Sequence, residues 1–182
     1  VFPRAQAYTT ARRDFDTLDE ALAAFTRLYT ARLDVEALDL LPGPIGATVC
    51  ARLGGLPEAL PARAERLRSA LGGGEILDGE AEAAFWQGRR DFDWVPPGWT
   101  LLKIPLTPAR IAGLESAFGA SSALRQYSSG GNLGYLADPR PPSELEPILA
   151  GLALPALALF APPGWGGDPR LGPRPAASVE QR

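Results

Sequence analysis

Residues 99–137 read WTLLKIPLTPARIAGLESAFGASSALRQYSSGGNLGYLA, and they break into strand, helix, strand, tight turn and strand. Trp99 to Leu106 has strand character and stops at Thr107-Pro108. Proline is tolerated there because the first amides of a helix lack an intrahelical partner anyway. Ile111, Leu114 and Phe118 then recur at helical spacing, and Gly119 ends the run. Ala123 to Ser128 and Asn132 to Ala137 are predicted strands joined around Ser129-Gly130-Gly131, a hairpin signal.

The pattern continues downstream. Ser143 and Glu146 have the spacing of a capping box, and Leu145, Ile148, Leu149 and Leu152 make the apolar face of a helix. Leu157 to Ala161 is a closing strand, and residues 162–174, PPGWGGDPRLGPR, are a Pro/Gly-rich loop. A structureless run of that length in a compact domain is usually functional or disordered.

Upstream the same order is written once before. Tyr8 to Phe15 is a strand; Thr17 and Glu20 form a capping box for a helix with Leu18, Ala21, Leu22, Phe25, Leu28 and Tyr29 on one face. Val35 to Leu41 and Ile45 to Leu53 are strands around Pro42-Gly43-Pro44. Leu60, Ala64, Leu67 and Leu71 mark a second helix that Gly72-Gly73-Gly74 ends before a short strand, Glu75 to Leu77. In residues 78–98, Asp78 can cap a helix carrying Phe85, Trp86 and Arg89, and DFDWVPPG (91–98) must be a loop because Pro-Pro suits neither helix nor central strand.

The expected fold is therefore α+β: duplicated ferredoxin-like β-α-β-β-α-β units, about 1–77 and 99–161, joined by 78–98. They form a mostly antiparallel sheet with helices on one face. The halves match in element order and not in residue identity.

Composition narrows the chemistry. With 182 residues, 46% hydrophobic and 21% charged, the chain has the make-up of an ordinary globular protein long enough to bury a real core. A net charge of −3 argues against a nucleic-acid binder, and the Arg pairs at 12–13 and 89–90 are too short to form a basic face. The single cysteine, Cys50, lies in the apolar run IGATVCARL and reads as a small buried residue. No apolar run approaches 18 residues, so no membrane-spanning segment is expected. There is no histidine, which removes the commonest general base and metal ligand, and a zinc site is not expected. GxGxxG opening a helix, GxxxxGK[ST] and G-x-S-x-G are all missing. The chain begins VFPRAQ, which reads like the middle of a protein, so a fragment or cleaved product is expected, and its active machinery on another segment.

LLKIPLTPARIAGLESAF (101–118) with RQYSSGGNLGYLA (125–137) resembles the C-terminal region of the FAD-binding subunit of bacterial glycolate oxidase. VFPRAQAYTT (1–10) is similar to the strand leaving the FAD domain in flavoproteins of the vanillyl-alcohol oxidase type, and FWQGRRDF (85–92) resembles the W-x-x-R segment of many FAD-linked oxidases. The likeness spans about residues 1–161, through short motifs.

The resemblance implies a cap domain that covers a flavin and shapes a pocket for a small 2-hydroxy acid. FAD itself would be bound mainly by a domain preceding Val1. Partners would be that domain and other oxidase subunits, in the cytoplasm or membrane-associated through those subunits, with no nucleic acid. Arg89 matches the arginine of W-x-x-R and would hold the substrate carboxylate; the alternative is a solvated arginine beside Arg90 and Asp91. Lys103 matches the basic position of the "IP" strand, and alternation puts it opposite Leu102 and Ile104, facing either the pocket or water. Tyr127, Gly130 and Gly131 match an aromatic–Gly–Gly hairpin that would lie near the cofactor or serve as a plain turn. Trp86, with Phe85, would wall the pocket or belong to the core, and Arg125 neighbours the hairpin. The catalytic base is unassigned, because the metal-binding histidines of related catalytic subunits have no counterpart here. A rival reading from another class is a non-enzymatic ferredoxin-like ligand-sensing or assembly module.

Overall fold

A computed structural model describes residues 5–31, 33–119 and 121–173, so residues 1–4 and the tail 174–182 lie outside the described residues. The protein is α+β, with antiparallel strand pairs and five α-helices among the described residues. It divides into two compact units. The first comprises the chain up to Trp94 together with Gln126–Gly131; the second comprises Val95–Arg125 and the chain from Asn132 onward.

In the first unit, β1 (Ala7–Phe15), α1 (Leu18–Thr30), β2 (Ala37–Pro42), β3 (Ala47–Gly55), α2 (Leu60–Leu71) and β4 (Glu75–Asp78) follow one another. The strands lie in the order β4-β1-β3-β2, all antiparallel. Thr17 caps α1 as expected: its hydroxyl accepts from the Glu20 amide at 3.2 Å and donates to the Glu20 carboxylate at 3.1 Å. Gly72 ends α2 in the left-handed region, φ 82°, which glycine adopts without a Cβ penalty.

Alternation along the strands separates two faces. Ala11, Val49, Ala51, Leu53, Leu38 and Leu40 are buried with Phe25, Leu28, Leu60, Leu67 and Leu71 of α1 and α2. Arg13, on the same face as Ala11, reaches the end of α2, donating to the Leu71 carbonyl at 2.7 Å. The opposite face presents Thr10, Arg12, Asp14, Thr48, Cys50, Arg52 and Asp39. Here the structure corrects the sequence reading. The helix in the joining segment, α3 (Gly79–Arg90), packs on this second face, so the helices are not confined to one side. Its Glu82, 2% exposed, accepts from Thr10 at 3.1 Å and from Arg52 at 2.7 and 3.0 Å, and Trp86 Nε1 donates to Thr10 at 2.7 Å. A polar sheet face demands a polar helix underside, which is why α3 has low amphipathicity yet a fixed seat. Asp78 sits at its N-cap without a side-chain capping bond.

The second unit holds β5 (Thr100–Pro105), α4 (Ile111–Phe118), the start of β6 (Leu124–Ser128), β7 (Leu133–Asp138), α5 (Pro142–Gly151), β8 (Ala156–Phe160) and β9 (Arg170–Leu171). β5 lies between β7 and β8. Leu101, Leu102, Ile104, Ile111, Phe118, Leu136, Leu145 and Leu149 are among its buried apolar residues. Two expectations change. α5 starts at Pro142 after Pro141, so Ser143 lies inside the helix and caps nothing. Proline in the first helical turn supplies the start instead, since its missing N–H costs nothing there. The Pro/Gly-rich run is not structureless: Arg170 and Leu171 pair with Leu157 and Ala156, and Leu171 is buried. Among the described residues no helix is long and apolar enough to cross a membrane.

Candidate functional site

Register on the polar face of the first unit lines up a row of side chains across four strands. Glu75 stands opposite Arg12, Arg12 opposite Cys50, and Cys50 opposite Asp39. Arg12 and Glu75 form an ion pair at 2.5 Å. Next to β2 lies the end of β6, where Tyr127 pairs with Leu40. Alternation turns Gln126 and Ser128 to the side opposite Tyr127, the side of Asp39. Gln126 Nε2 donates to Asp39 Oδ2 at 3.0 Å and to Ser128 Oγ at 3.0 Å, and Ser128 Oγ donates to the same Asp39 oxygen at 2.8 Å.

Asp39 and Gln126 are each 4% exposed and Cys50 is fully buried. Burial pushes the Asp39 carboxyl up to about 6, opposed by the Ser128 and Gln126 hydrogen bonds and by the positive charge of Arg89. Burial pushes the Cys50 thiol up to about 12, with the Asp39 charge adding to it, so Cys50 stays protonated and unreactive at neutral pH. The sequence reading of a small buried cysteine holds, with one refinement: it belongs to the polar face and not to the helix-covered core.

Gln126 brings an unsatisfied group. Both acceptors near its amide nitrogen, Asp39 and Ser128, fix which end of the amide faces them. The other end, Oε1, is buried and accepts no hydrogen bond among the described residues. An orphaned buried acceptor costs about 1–3 kcal/mol, so it is uncommon unless something else fills the role.

Arg89 comes to this cluster from α3. It is half-buried, and burial lowers its pKa while the Cys50 and Asp39 positions raise it, which places its charge within reach of both. Its guanidinium lies 5.6 Å from the Phe85 ring centre, and it has no hydrogen bond or ion pair among the described residues. By contrast Arg90, its neighbour, is exposed and pairs with Asp91.

Other sequence-derived candidates are placed as follows. Trp86 and Phe85 are half-buried on α3, edge to face at 5.3 Å, over the same polar sheet face. Tyr127 is fully buried on the core side of the first unit, with Leu40. Gly130 and Gly131 are buried in a 3-10 turn, Ser129–Gly131; a Cβ at Gly130, φ 64°, would lie 2.6 Å from the Tyr29 ring. The close approach that this glycine permits is thus to the chain's own tyrosine. Lys103 belongs to the second unit, half-buried, in register with Tyr135 and Leu157. Arg125, also in the second unit, is consumed by Glu115.

Sequence reasoning missed Asp39, Gln126 and Ser128. One signal was present: Asp39 sits between Leu38 and Leu40, so alternation already turns it away from the core. Two grooves lie elsewhere, one of about 400 Å³ lined by Tyr8, Leu60, Ala64 and Ile76, the other of about 450 Å³ lined by Tyr29, Asp34, Glu36 and Gly130. Neither includes Arg89, Asp39 or Gln126.

No family model matches this chain, and no curated protein matches it.

Proposed function

We propose that this chain is the cap domain of a FAD-linked oxidoreductase subunit resembling the FAD-binding subunit of glycolate oxidase. Its task is to shape the pocket for a small 2-hydroxy acid such as glycolate and to exclude water from it. The single observation that supports this most is Arg89: the arginine of the W-x-x-R likeness stands half-buried, with no hydrogen bond or ion pair among the described residues, on the helix that covers the polar sheet face. A guanidinium so placed is suited to a carboxylate, which it can hold by two parallel hydrogen bonds. The finer fold reading, a duplicated ferredoxin-like arrangement, is part of the same proposal. The order β4-β1-β3-β2 of the first unit and the repeated order of elements support it.

The residues present do not by themselves fit FAD. The sequence has no glycine-rich loop to cradle a pyrophosphate, and the turn glycine able to approach a ring, Gly130, is taken up by Tyr29. The flavin would be held by another domain of a cytoplasmic complex, and this chain would bind and orient substrate.

The test compares this chain with the complete product of the coding sequence that contains it. The chain alone should retain no stoichiometric flavin. The complete product should show flavin absorbance that bleaches anaerobically on adding glycolate or lactate. Tight flavin in the chain alone, or a complete product without flavin, overturns the reading and favours a sensing or assembly module.

A further inference from the structure

The strand β4 stands at the end of the first unit's strand order, and β1 is the strand it pairs with. In an antiparallel pair every second residue turns both its N–H and its C=O away from the partner. The outer side of β4 therefore carries backbone groups that meet no strand among the described residues. Ile76, opposite Ala11, lies on the side of the sheet that α1 and α2 cover, and alternation puts Asp78 on the same side. There the groove of about 400 Å³ runs between β4 and α2, lined by Ile76, Asp78, Pro57, Leu60, Pro61 and Ala64 among others. An open strand edge and a largely apolar groove lie side by side.

The charge around them has one sign. The charged residues that line the groove, Glu65 and Asp78, are both acidic. Glu65 is held by Arg68 of its own helix at 2.7 and 2.9 Å, and Glu75 at the other end of β4 is held by Arg12 at 2.5 Å. The exposed Asp78 carboxylate has no hydrogen-bond or ion-pair partner among the described residues, and does not cap α3. A second copy fits this edge poorly. An antiparallel β4–β4 pair centred on Ile76 and Leu77 would set Glu75 against Asp78 at both ends.

We propose that the β4 edge and its groove dock an extended segment of a partner protein, added as a further strand. One apolar side chain of that segment enters the groove, and an Arg or Lys two positions away meets Asp78. The spacing follows from the pleat: Ile76 and Asp78 are two residues apart on one face, so the residues beside them on an added strand are also two apart. In strand addition the main-chain hydrogen bonds supply affinity and the alternate side chains supply the choice of sequence. The inference concerns the first unit alone and does not rest on the oxidase reading.

The test is isothermal titration and amide chemical-shift mapping of the 182-residue chain with the capped peptide RTLTR, whose arginines flank the leucine at the required spacing. It should bind saturably, with shifts centred on residues 75–79 and 60–65. The charge-reversed peptide ETLTE should bind about tenfold more weakly. N-methylation of the leucine alone, or of both threonines, blocks alternate amides, so one of these two peptides should lose binding and the other keep it. Asp78→Asn should weaken RTLTR by about two- to fivefold, the worth of an exposed ion pair, with the unfolding midpoint unchanged. Ile76→Lys, which puts a cation against a basic peptide, should weaken it further; should that variant fail to fold, Asp78→Asn still decides. Absence of saturable binding, equal affinity for ETLTE, or equal effects of the two methylation patterns overturns the inference. So does a concentration-dependent dimer in sedimentation that Ile76→Lys abolishes, since the edge then belongs to a second copy.

Discussion

Arg125 with Glu115 in the second unit, and Asp39 with Gln126 in the first, are about equally withdrawn from water, and their hydrogen bonds are spent in opposite ways. Arg125 gives Nε and Nη2 to the Glu115 carboxylate at 3.0–3.2 Å and Nη1 to the Ala123 carbonyl, at 6% and 7% side-chain exposure for the pair. Every nitrogen of the guanidinium and both oxygens of the carboxylate have a partner. In the first cluster the amide of Gln126 is satisfied at its nitrogen and not at its oxygen, and burial lifts a carboxyl to about 6 against the opposing hydrogen bonds and the charge of Arg89. A closed network fixes structure, because breaking it strands a charge. An open one costs stability for as long as it is empty, and such costs concentrate where ligands bind. Burial alone therefore does not separate a structural cluster from a functional one; the count of unspent donors and acceptors does.

The largest effect should come from breaking the closed cluster. Glu115→Ala leaves the Arg125 guanidinium buried without its anion, and should destabilise the chain by about 3–5 kcal/mol in denaturant unfolding. Replacing both partners with apolar side chains of similar volume should recover most of that loss, since no buried charge remains. A cost under about 1 kcal/mol for Glu115→Ala would remove the contrast between the clusters.

Opposite behaviour is expected of Asp39. Its value in the folded chain is raised from 3.8 to about 6, so the folded chain holds that proton more tightly than the unfolded chain does. The stability tied to it is complete below about pH 4 and is lost as pH rises through about 6, in total about 3 kcal/mol. Asp39→Asn should therefore stabilise the chain at pH 7.5 by up to about 3 kcal/mol and gain little at pH 4. Thermal or urea unfolding across that range measures the slope; an unchanged slope in the variant would show that the carboxyl titrates normally.

Gly130 sharpens the comparison further, because the turn it shapes follows directly on Gln126 and Ser128. Gly130→Ala places a methyl group against Tyr29 at φ 64°, and should cost about 1–2 kcal/mol for the left-handed backbone alone, with the clash added. Tyr29→Ala in the same chain should return the clash and not the backbone part. Smallest of all is Arg89→Gln, expected to change stability by no more than about 0.5 kcal/mol in the same unfolding assay, since no ion pair is lost. A loss of several kcal/mol there would mark Arg89 as structural.

Local signals were legible where local physics decides them. The Thr17-x-x-Glu20 box, the run of glycines after Leu71 and the strand–helix–strand order of both halves appear in the structure close to where the sequence puts them. Ser143 shows the limit: its spacing to Glu146 satisfies the capping rule, and Pro142 pre-empts it by starting the helix two residues earlier. Arg170-Leu171 shows another, since two residues carry too little periodicity to declare a strand, and only the neighbouring β8 makes them one.

By itself the sequence determined the α+β class and the lack of histidine chemistry, and its resemblance to FAD-linked oxidases singled out Arg89 as a candidate cation. Tertiary structure decided which side chains meet. That α3 covers the polar face, and that residues 126–131 join the first unit though they lie more than thirty positions beyond Trp94, follows from strand register and helix packing. These are free energies summed over many distant contacts, and no short window of residues contains them. The juxtaposition of Cys50, Asp39 and Gln126 is set by such sums, because a shift of one residue in any strand would turn its side chain to the other face.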